Sequence, residues 1–168
     1  MNKGMPTSVT YAVGARSDPG KRKMLNEDSL FAVSGSYNTS LMPFGLFIVA
    51  DGMGGYANGQ DASSRAIQVI ADHVLPNMTG THTLQPDECS HLLAEAMQRA
   101  NTAVRQQNID LHSKEGVDID VSVSTTVTAA LVVGLTAYIA HVGNCRLYRY
   151  HPGEKLFKVT TDHLWWRA

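Results

Sequence analysis

The segment of residues 44–59, FGLFIVADGMGGYANG, restricts most strongly how this chain can fold. Residues 47–50 form a continuous apolar run, which is typical of a strand covered on both faces. The run ends at Asp51, and Gly52 then opens a cluster of glycines, residues that permit close approach to the main chain. An ionised carboxylate at the end of a buried strand is costly without a positive partner, and the segment contains neither Lys nor Arg. A bound metal ion is therefore one explanation for Asp51.

Two other interpretations fit the same glycines. A tight turn that contains Asp-Gly and Gly-Gly requires no ligand at all. Residues 52–57 also match the dinucleotide-binding fingerprint G-x-G-x-x-A, and Asp72 lies near the spacing of a ribose-binding acid. However, Asp72 falls inside a helical pattern, and Asp51 would repel a pyrophosphate. The nucleotide interpretation is therefore disfavoured, whereas the turn remains open.

Length and charge limit the class of protein. The chain has 168 residues, and we predict one domain over residues 1–168. Its net charge of -1 indicates neither a nucleic acid nor a membrane surface as partner. No apolar run is long enough for a membrane span or a secretion signal, so we predict a cytoplasmic protein.

Cys89 and Cys145 lack metal or redox spacing and are predicted to be reduced and structural. His141 and His163 are predicted to form structural hydrogen bonds.

Hydrophobic periodicity predicts strands, then two helices, then further strands. Pro76 is expected to end the first helix. The predicted elements are strands 9–15, 29–34 and the central strand 47–50, helices 58–76 and 86–108, and strands 124–133, 136–142, 145–150 and 155–160. This order is that of a layered α+β domain with antiparallel strands rather than of a doubly wound sheet.

Three carboxylates flank the ends of predicted strands. Glu27 and Asp28 precede one strand, and Asp51 ends the central one. If the two loops meet at one edge of the sheet, the carboxylates and a glycine carbonyl form an oxygen-ligand site that suits Mg²⁺ or Mn²⁺ better than zinc. The basic residues 21–23 then place positive charge near a phosphate, although such a cluster alone is usually only a solvated surface.

Five short motifs follow one another along nearly the whole chain. They are NEDS at 26–29, VADGMGG at 49–55 with Gly59, Ala62 and Ser63 after it, STT at 124–126, HVGNCRLY at 141–148 and TTDH at 160–163. Each motif alone is weak, but their order resembles that of the PP2C, or PPM, family of metal-dependent Ser/Thr protein phosphatases in its bacterial form.

The resemblance implies an α-β-β-α sandwich of two antiparallel sheets flanked by helices, with two Mn²⁺ or Mg²⁺ ions at one end. By position in the motifs, Asp51 matches the carboxylate that bridges both ions, and Gly52 offers its carbonyl. Asp28 and Glu27 match the other acids of the metal site, and Lys23 stands where the family has a phosphate-binding Arg. The implied activity is hydrolysis of phosphoserine and phosphothreonine by a hydroxide that bridges the metal ions. The implied substrates are phosphoproteins of a Ser/Thr kinase pathway.

The chain departs from the family pattern at three points. Lys23 keeps the positive charge but lacks the bidentate fork of Arg, so weaker phosphate capture is expected. Asn144 replaces an aspartate, which disfavours a third ion. The chain ends at Ala168, before the family's later S-D-G and D-N segments, so we predict a C-terminally truncated sandwich that holds metal poorly. These departures keep a second hypothesis open, a non-catalytic pseudophosphatase module that binds phosphoproteins or regulatory partners.

Overall fold

A computed structural model describes residues 9–21, 25–36, 42–54, 58–79, 84–115 and 123–163. Strands precede and follow a pair of helices, which confirms the predicted α+β arrangement. The elements are β1 (Asp28–Ser36), β2 (Pro43–Met53), α1 (Asn58–Met78), α2 (Pro86–Glu115), β3 (Ser124–Val133), β4 (Thr136–Val142), β5 (Tyr148–Arg149) and β6 (Phe157–Lys158).

The first four strands form one antiparallel sheet in the order β1-β2-β3-β4, and β5 pairs with β6 in a small second sheet. The predicted break between β3 and β4 is a tight hairpin turn. Gly134 adopts a φ of 58° there, a conformation that glycine adopts without strain. Each strand therefore lies beside its neighbour in sequence or beside the strand that follows the helices.

The hydrophobic core lies between the four-stranded sheet and both helices. Leu46, Ile48 and Ala50 alternate along β2 and are at most 2% exposed, and they share one core cluster with residues of α1 and α2. Val49 points to the opposite face and is 44% exposed. The prediction that this strand is covered on both faces is thus wrong for the described residues, because the helices cover only one of its faces.

Other element predictions also need correction. Residues 9–15 are not in a strand, because an alternating pattern predicts an extended chain but supplies no partner for it. Helix α1 continues past Pro76 to Met78, whose fully buried side chain extends the packing by half a turn. The two last strands are short pairs within the predicted ranges, and α2 is longer than predicted, reaching Glu115.

Candidate metal centre

The ends of β1 and β2 place two carboxylates opposite each other. Asp28 and Asp51 are directly paired across the two antiparallel strands. Their side chains therefore leave the same face of the sheet, the one that does not carry the helices. Asp28 is exposed and Asp51 is half-buried. Because like charges in this arrangement repel each other, the pair favours a cation between them.

Gly52 brings β2 into backbone contact with α1 and with Glu27, the residue that precedes β1. Its N–H donates to the carbonyl oxygen of Glu27 at 3.1 Å. A Cβ at position 52 would overlap the carbonyl oxygen of Gly59 in the first turn of α1 and would also crowd the Glu27 carbonyl. A side chain at Gly59 would in turn crowd the backbone of Gly52 and displace the flexible Glu27 carboxylate. Glycines at 52 and 59 thus allow the strand, the helix and Glu27 to meet.

The donor set fits a hard divalent cation in its chemistry. The carboxylates of Glu27, Asp28 and Asp51 and the carbonyl of Gly52 are all oxygen donors, which suit Mg²⁺ and Mn²⁺. Within the ranges that the structure describes, no three His, Cys, Asp or Glu side chains are grouped closely enough to hold a metal ion. The structure therefore pairs Asp28 with Asp51 but does not group the Glu27 carboxylate with them closely enough for a three-acid metal site. Lys23, the predicted phosphate-binding residue, lies outside the described residues.

Strand β3 contributes contacts that the sequence motifs did not assign to any role. The Thr125 hydroxyl donates to the carbonyl oxygen of Asp51 at 3.0 Å. Thr126 is the cross-strand partner of Asp51, and its hydroxyl lies 3.0 Å from the Cys145 thiol. Burial raises the pKa of Cys145, and the negative charges of Asp51 and Asp28 raise it further. The thiol is therefore neutral near pH 7 and lies beside the paired carboxylates, a position that its place in HVGNCRLY alone did not predict.

The two late motifs, HVGNCRLY at 141–148 and TTDH at 160–163, are joined by an ion pair and hydrogen bonds. Arg146 binds Asp162 through two guanidinium nitrogens, the shortest distance being 2.6 Å. That ion pair, supported by Lys158, lowers the pKa of Asp162 to about 2. The His163 backbone N–H donates to the carbonyl of Gly143 at 2.7 Å. Residues 143–147 and 159–163 are thereby held side by side.

Both motif histidines form hydrogen bonds, as predicted. The Nδ1 atom of His141 lies 2.8 Å from the Thr128 hydroxyl, and its Nε2 atom lies 3.1 Å from the carbonyl of Thr161. The ring of His163 accepts a hydrogen bond from the Gly143 N–H at 3.3 Å. Both cysteines are free thiols, as predicted.

Comparison with known proteins identifies the same family that the motifs indicate. The family model described as Protein phosphatase 2C matches residues 20–164. A serine/threonine protein phosphatase, PstP, of Mycobacterium tuberculosis is 31% identical over 92% of this chain and 26% of its own length. The serine/threonine phosphatase stp of Listeria monocytogenes is 30% identical over 88% of the chain and 53% of its own length. The chain thus spans between about a quarter and about half of the length of these curated relatives.

Solved structures agree on the fold. The crystal structure of the Mycobacterium tuberculosis serine/threonine phosphatase PstP/Ppp is 29% identical, has a TM-score of 0.64, and is matched over 88% of this chain and 52% of that one. The catalytic domain of PstP in complex with two manganese ions is also 29% identical, with a TM-score of 0.63, over 88% of this chain and 54% of that one. Neither described helix has the combination of length and apolar composition needed to cross a membrane.

Proposed function

Because the chain belongs to the protein phosphatase 2C family, we propose that it supplies part of the active site of a metal-dependent protein serine/threonine phosphatase. The observation that carries this proposal is the pairing of Asp28 with Asp51 at the strand ends, beside Gly52, where any side chain would overlap the backbone of α1. The PstP structure in complex with two manganese ions supports a requirement for divalent metal.

The residues of this chain have distinct parts in that activity. We assign Asp51, Asp28 and Glu27, with the carbonyl of Gly52, to two Mn²⁺ or Mg²⁺ ions. When bound, these ions would supply the Lewis-acid charge that activates a water for attack on phosphorus. The hydrogen bond from Thr125 and the pairing with β3 hold the backbone of Asp51, which keeps its side chain on the same face of the sheet as Asp28. Lys23 would bind a phosphate oxygen by charge.

The substrate that we propose is a phosphoprotein made by a Ser/Thr kinase, and the site of action is the cytoplasm. The names of the relatives support phosphoserine and phosphothreonine as the chemical class. A net charge of -1 favours neither nucleic acid nor an anionic membrane surface as a competing partner.

Substitution of one metal-site carboxylate tests the proposal. Hydrolysis of p-nitrophenyl phosphate and of a phosphothreonine peptide would be measured with and without Mn²⁺. Binding of Mn²⁺ and of the phosphopeptide would be measured by calorimetry. The Asp51→Asn variant is expected to lose at least about 100-fold of the Mn²⁺-dependent rate, because an amide cannot supply the negative charge. The matched control is Asp72→Asn, an exposed aspartate in the middle of α1, which is expected to behave like the wild type.

Three results would decide between the hypotheses. Equal rates for Asp51→Asn and the wild type would contradict the proposed site. Binding of the phosphopeptide by the wild type with neither Mn²⁺ binding nor hydrolysis would contradict the metal-dependent enzyme and support the non-catalytic module. Loss of both hydrolysis and Mn²⁺ binding in Asp51→Asn alone would support the phosphatase.

A further inference from the structure

We propose that Ser63 is a positioning residue for the metal site, which it serves by holding the carbonyl of Glu27. This inference rests on the proposed function and adds to it a residue of α1 whose hydroxyl is hydrogen-bonded to the main chain of Glu27. Ser63 is completely buried, one of only a few buried polar residues in the described part of the chain. A buried hydroxyl is costly unless it is hydrogen-bonded, so its partners indicate what it does.

The Ser63 hydroxyl lies at the end of a chain of hydroxyl groups that leads in from the surface. Its oxygen is 2.7 Å from the Glu27 carbonyl oxygen and 2.7 Å from the Ser29 hydroxyl. The Ser29 hydroxyl is in turn 3.0 Å from that of the exposed Ser64. Each hydroxyl has one proton to donate. When Ser64 donates to Ser29, Ser29 to Ser63, and Ser63 to the Glu27 carbonyl, each of the three hydroxyl protons has an acceptor.

The Glu27 carbonyl is the point at which three elements meet. It accepts one hydrogen bond from Ser63 in α1 and a second from the N–H of Gly52 in β2. The next residue, Asp28, begins β1 and is paired with Asp51. A displacement of this carbonyl would therefore move the carboxylates of Glu27 and Asp28 relative to the carboxylate of Asp51.

The alternative, a purely local role for Ser63, accounts for only part of the geometry. A helical serine commonly bonds to a carbonyl in the preceding turn, and Ser63 does lie 3.0 Å from the carbonyl of Gln60. The contact with Glu27 is shorter and joins residues 36 positions apart. Removal of the hydroxyl would leave the Ser29 hydroxyl without its buried acceptor and the Glu27 carbonyl with one donor fewer. The consequence reaches the metal site rather than only the helix.

The test compares Ser63→Ala with Ser90→Ala, an exposed serine of α2 whose hydroxyl donates to the carbonyl of Pro86 in its own helix. The measurements are the Mn²⁺ concentration for half-maximal hydrolysis of p-nitrophenyl phosphate, kcat at saturating Mn²⁺, Mn²⁺ affinity by calorimetry, and Tm. For Ser63→Ala we expect Mn²⁺ affinity to fall about 10-fold, as is typical when a group that orients metal ligands is removed, with kcat nearly unchanged. For Ser90→Ala we expect a change of less than about twofold, because the hydrogen bond that it loses lies within α2.

Ser29→Ala provides a second variant should Ser63→Ala fail to fold. It removes the donor to Ser63 at a half-buried position, and a smaller loss of Mn²⁺ affinity in the same direction is expected. A lower Tm or kcat with unchanged Mn²⁺ affinity in Ser63→Ala and Ser29→Ala would overturn the positioning role of Ser63. The proposed phosphatase function would remain. Absence of Mn²⁺ binding by the wild type would overturn both proposals.

Discussion

At the scale of single residues, the site depends on one position where no side chain fits. Gly52 lies against the backbone of Gly59 and of Glu27, and these neighbours are main-chain atoms of a helix and a loop. A flexible side chain can move away from an added methyl group, whereas a hydrogen-bonded backbone moves only with its element. The glycine is therefore required by packing as well as by its proposed carbonyl ligand.

Gly52→Ala is accordingly expected to destabilise the fold by at least about 2 kcal/mol, because the new methyl group separates β2 from α1. Urea-induced unfolding measures the free energy of unfolding. Gly14→Ala is the matched control, since a Cβ at position 14 meets nothing within 4 Å. Equal stability of the two variants would show that the contact between β2 and α1 relaxes without cost.

The acids of the site could be predicted from the sequence, but their neighbours could not. Asp51 follows an apolar run and Asp28 precedes one, so antiparallel pairing of two adjacent strands suffices to place them together. The contacts of Glu27 with Gly59 and Ser63 join β1 to α1, and periodicity does not determine which helix turn meets which loop. The position of Cys145 beside Asp51 could not be predicted either, because it depends on the pairing of β2 with β3 and on a turn at Gly143.

At the scale of elements, β2 has two faces in different environments. Its even-numbered residues are buried against the helices, whereas Val49 is 44% exposed on the other face. An apolar run longer than a few residues does not distinguish a strand covered on both faces from one covered on a single face. The exposure of Val49 therefore could not be predicted from residues 47–50, although the strand itself could.

This asymmetry predicts different costs for truncating two residues of the same strand. Leu46→Ala is expected to reduce the free energy of unfolding by about 2–5 kcal/mol, because Leu46 is fully buried and its loss leaves a cavity. Val49→Ala is expected to cost about 1 kcal/mol or less, because its side chain is partly solvated already. Urea unfolding of both variants measures the difference. A cost for Val49→Ala as large as that for Leu46→Ala would mean that the second face is covered in solution.

At the scale of the whole molecule, residues 143–147 and 159–163 are connected by an ion pair, side-chain hydrogen bonds and two main-chain hydrogen bonds that lie outside the paired strands. β5 and β6 pair over only two residues each, so the sheet contributes little to this connection. Arg146 and Lys158 both approach Asp162, whose side chain is 13% exposed. The Thr128 hydroxyl adds a bond from β3 to the carbonyl of Cys145 at 3.0 Å. The stability of this region should therefore depend on the ionisation of Asp162.

The pKa of Asp162, lowered to about 2 from an ordinary value of 3.8, gives that dependence a definite sign. Because the folded state holds the carboxylate ionised more strongly than the unfolded state does, the ion pair stabilises the protein above about pH 4. This contribution is lost as the pH falls toward 2, where the folded state also takes up the proton. Asp162→Asn should thus be less stable than the wild type at pH 6, and the difference should shrink between about pH 4 and pH 2.

Urea unfolding of both proteins at a series of pH values from 6 to 2.5 measures that difference. Glu154→Gln is the matched control, because the Arg149–Glu154 pair at 3.0 Å lies between two exposed side chains and solvent screens it. Its stability should follow that of the wild type closely at every pH. If the gap between Asp162→Asn and the wild type stayed constant down to pH 2.5, the aspartate would be stabilising through packing or neutral hydrogen bonds, and the link between the two late motifs would not be electrostatic.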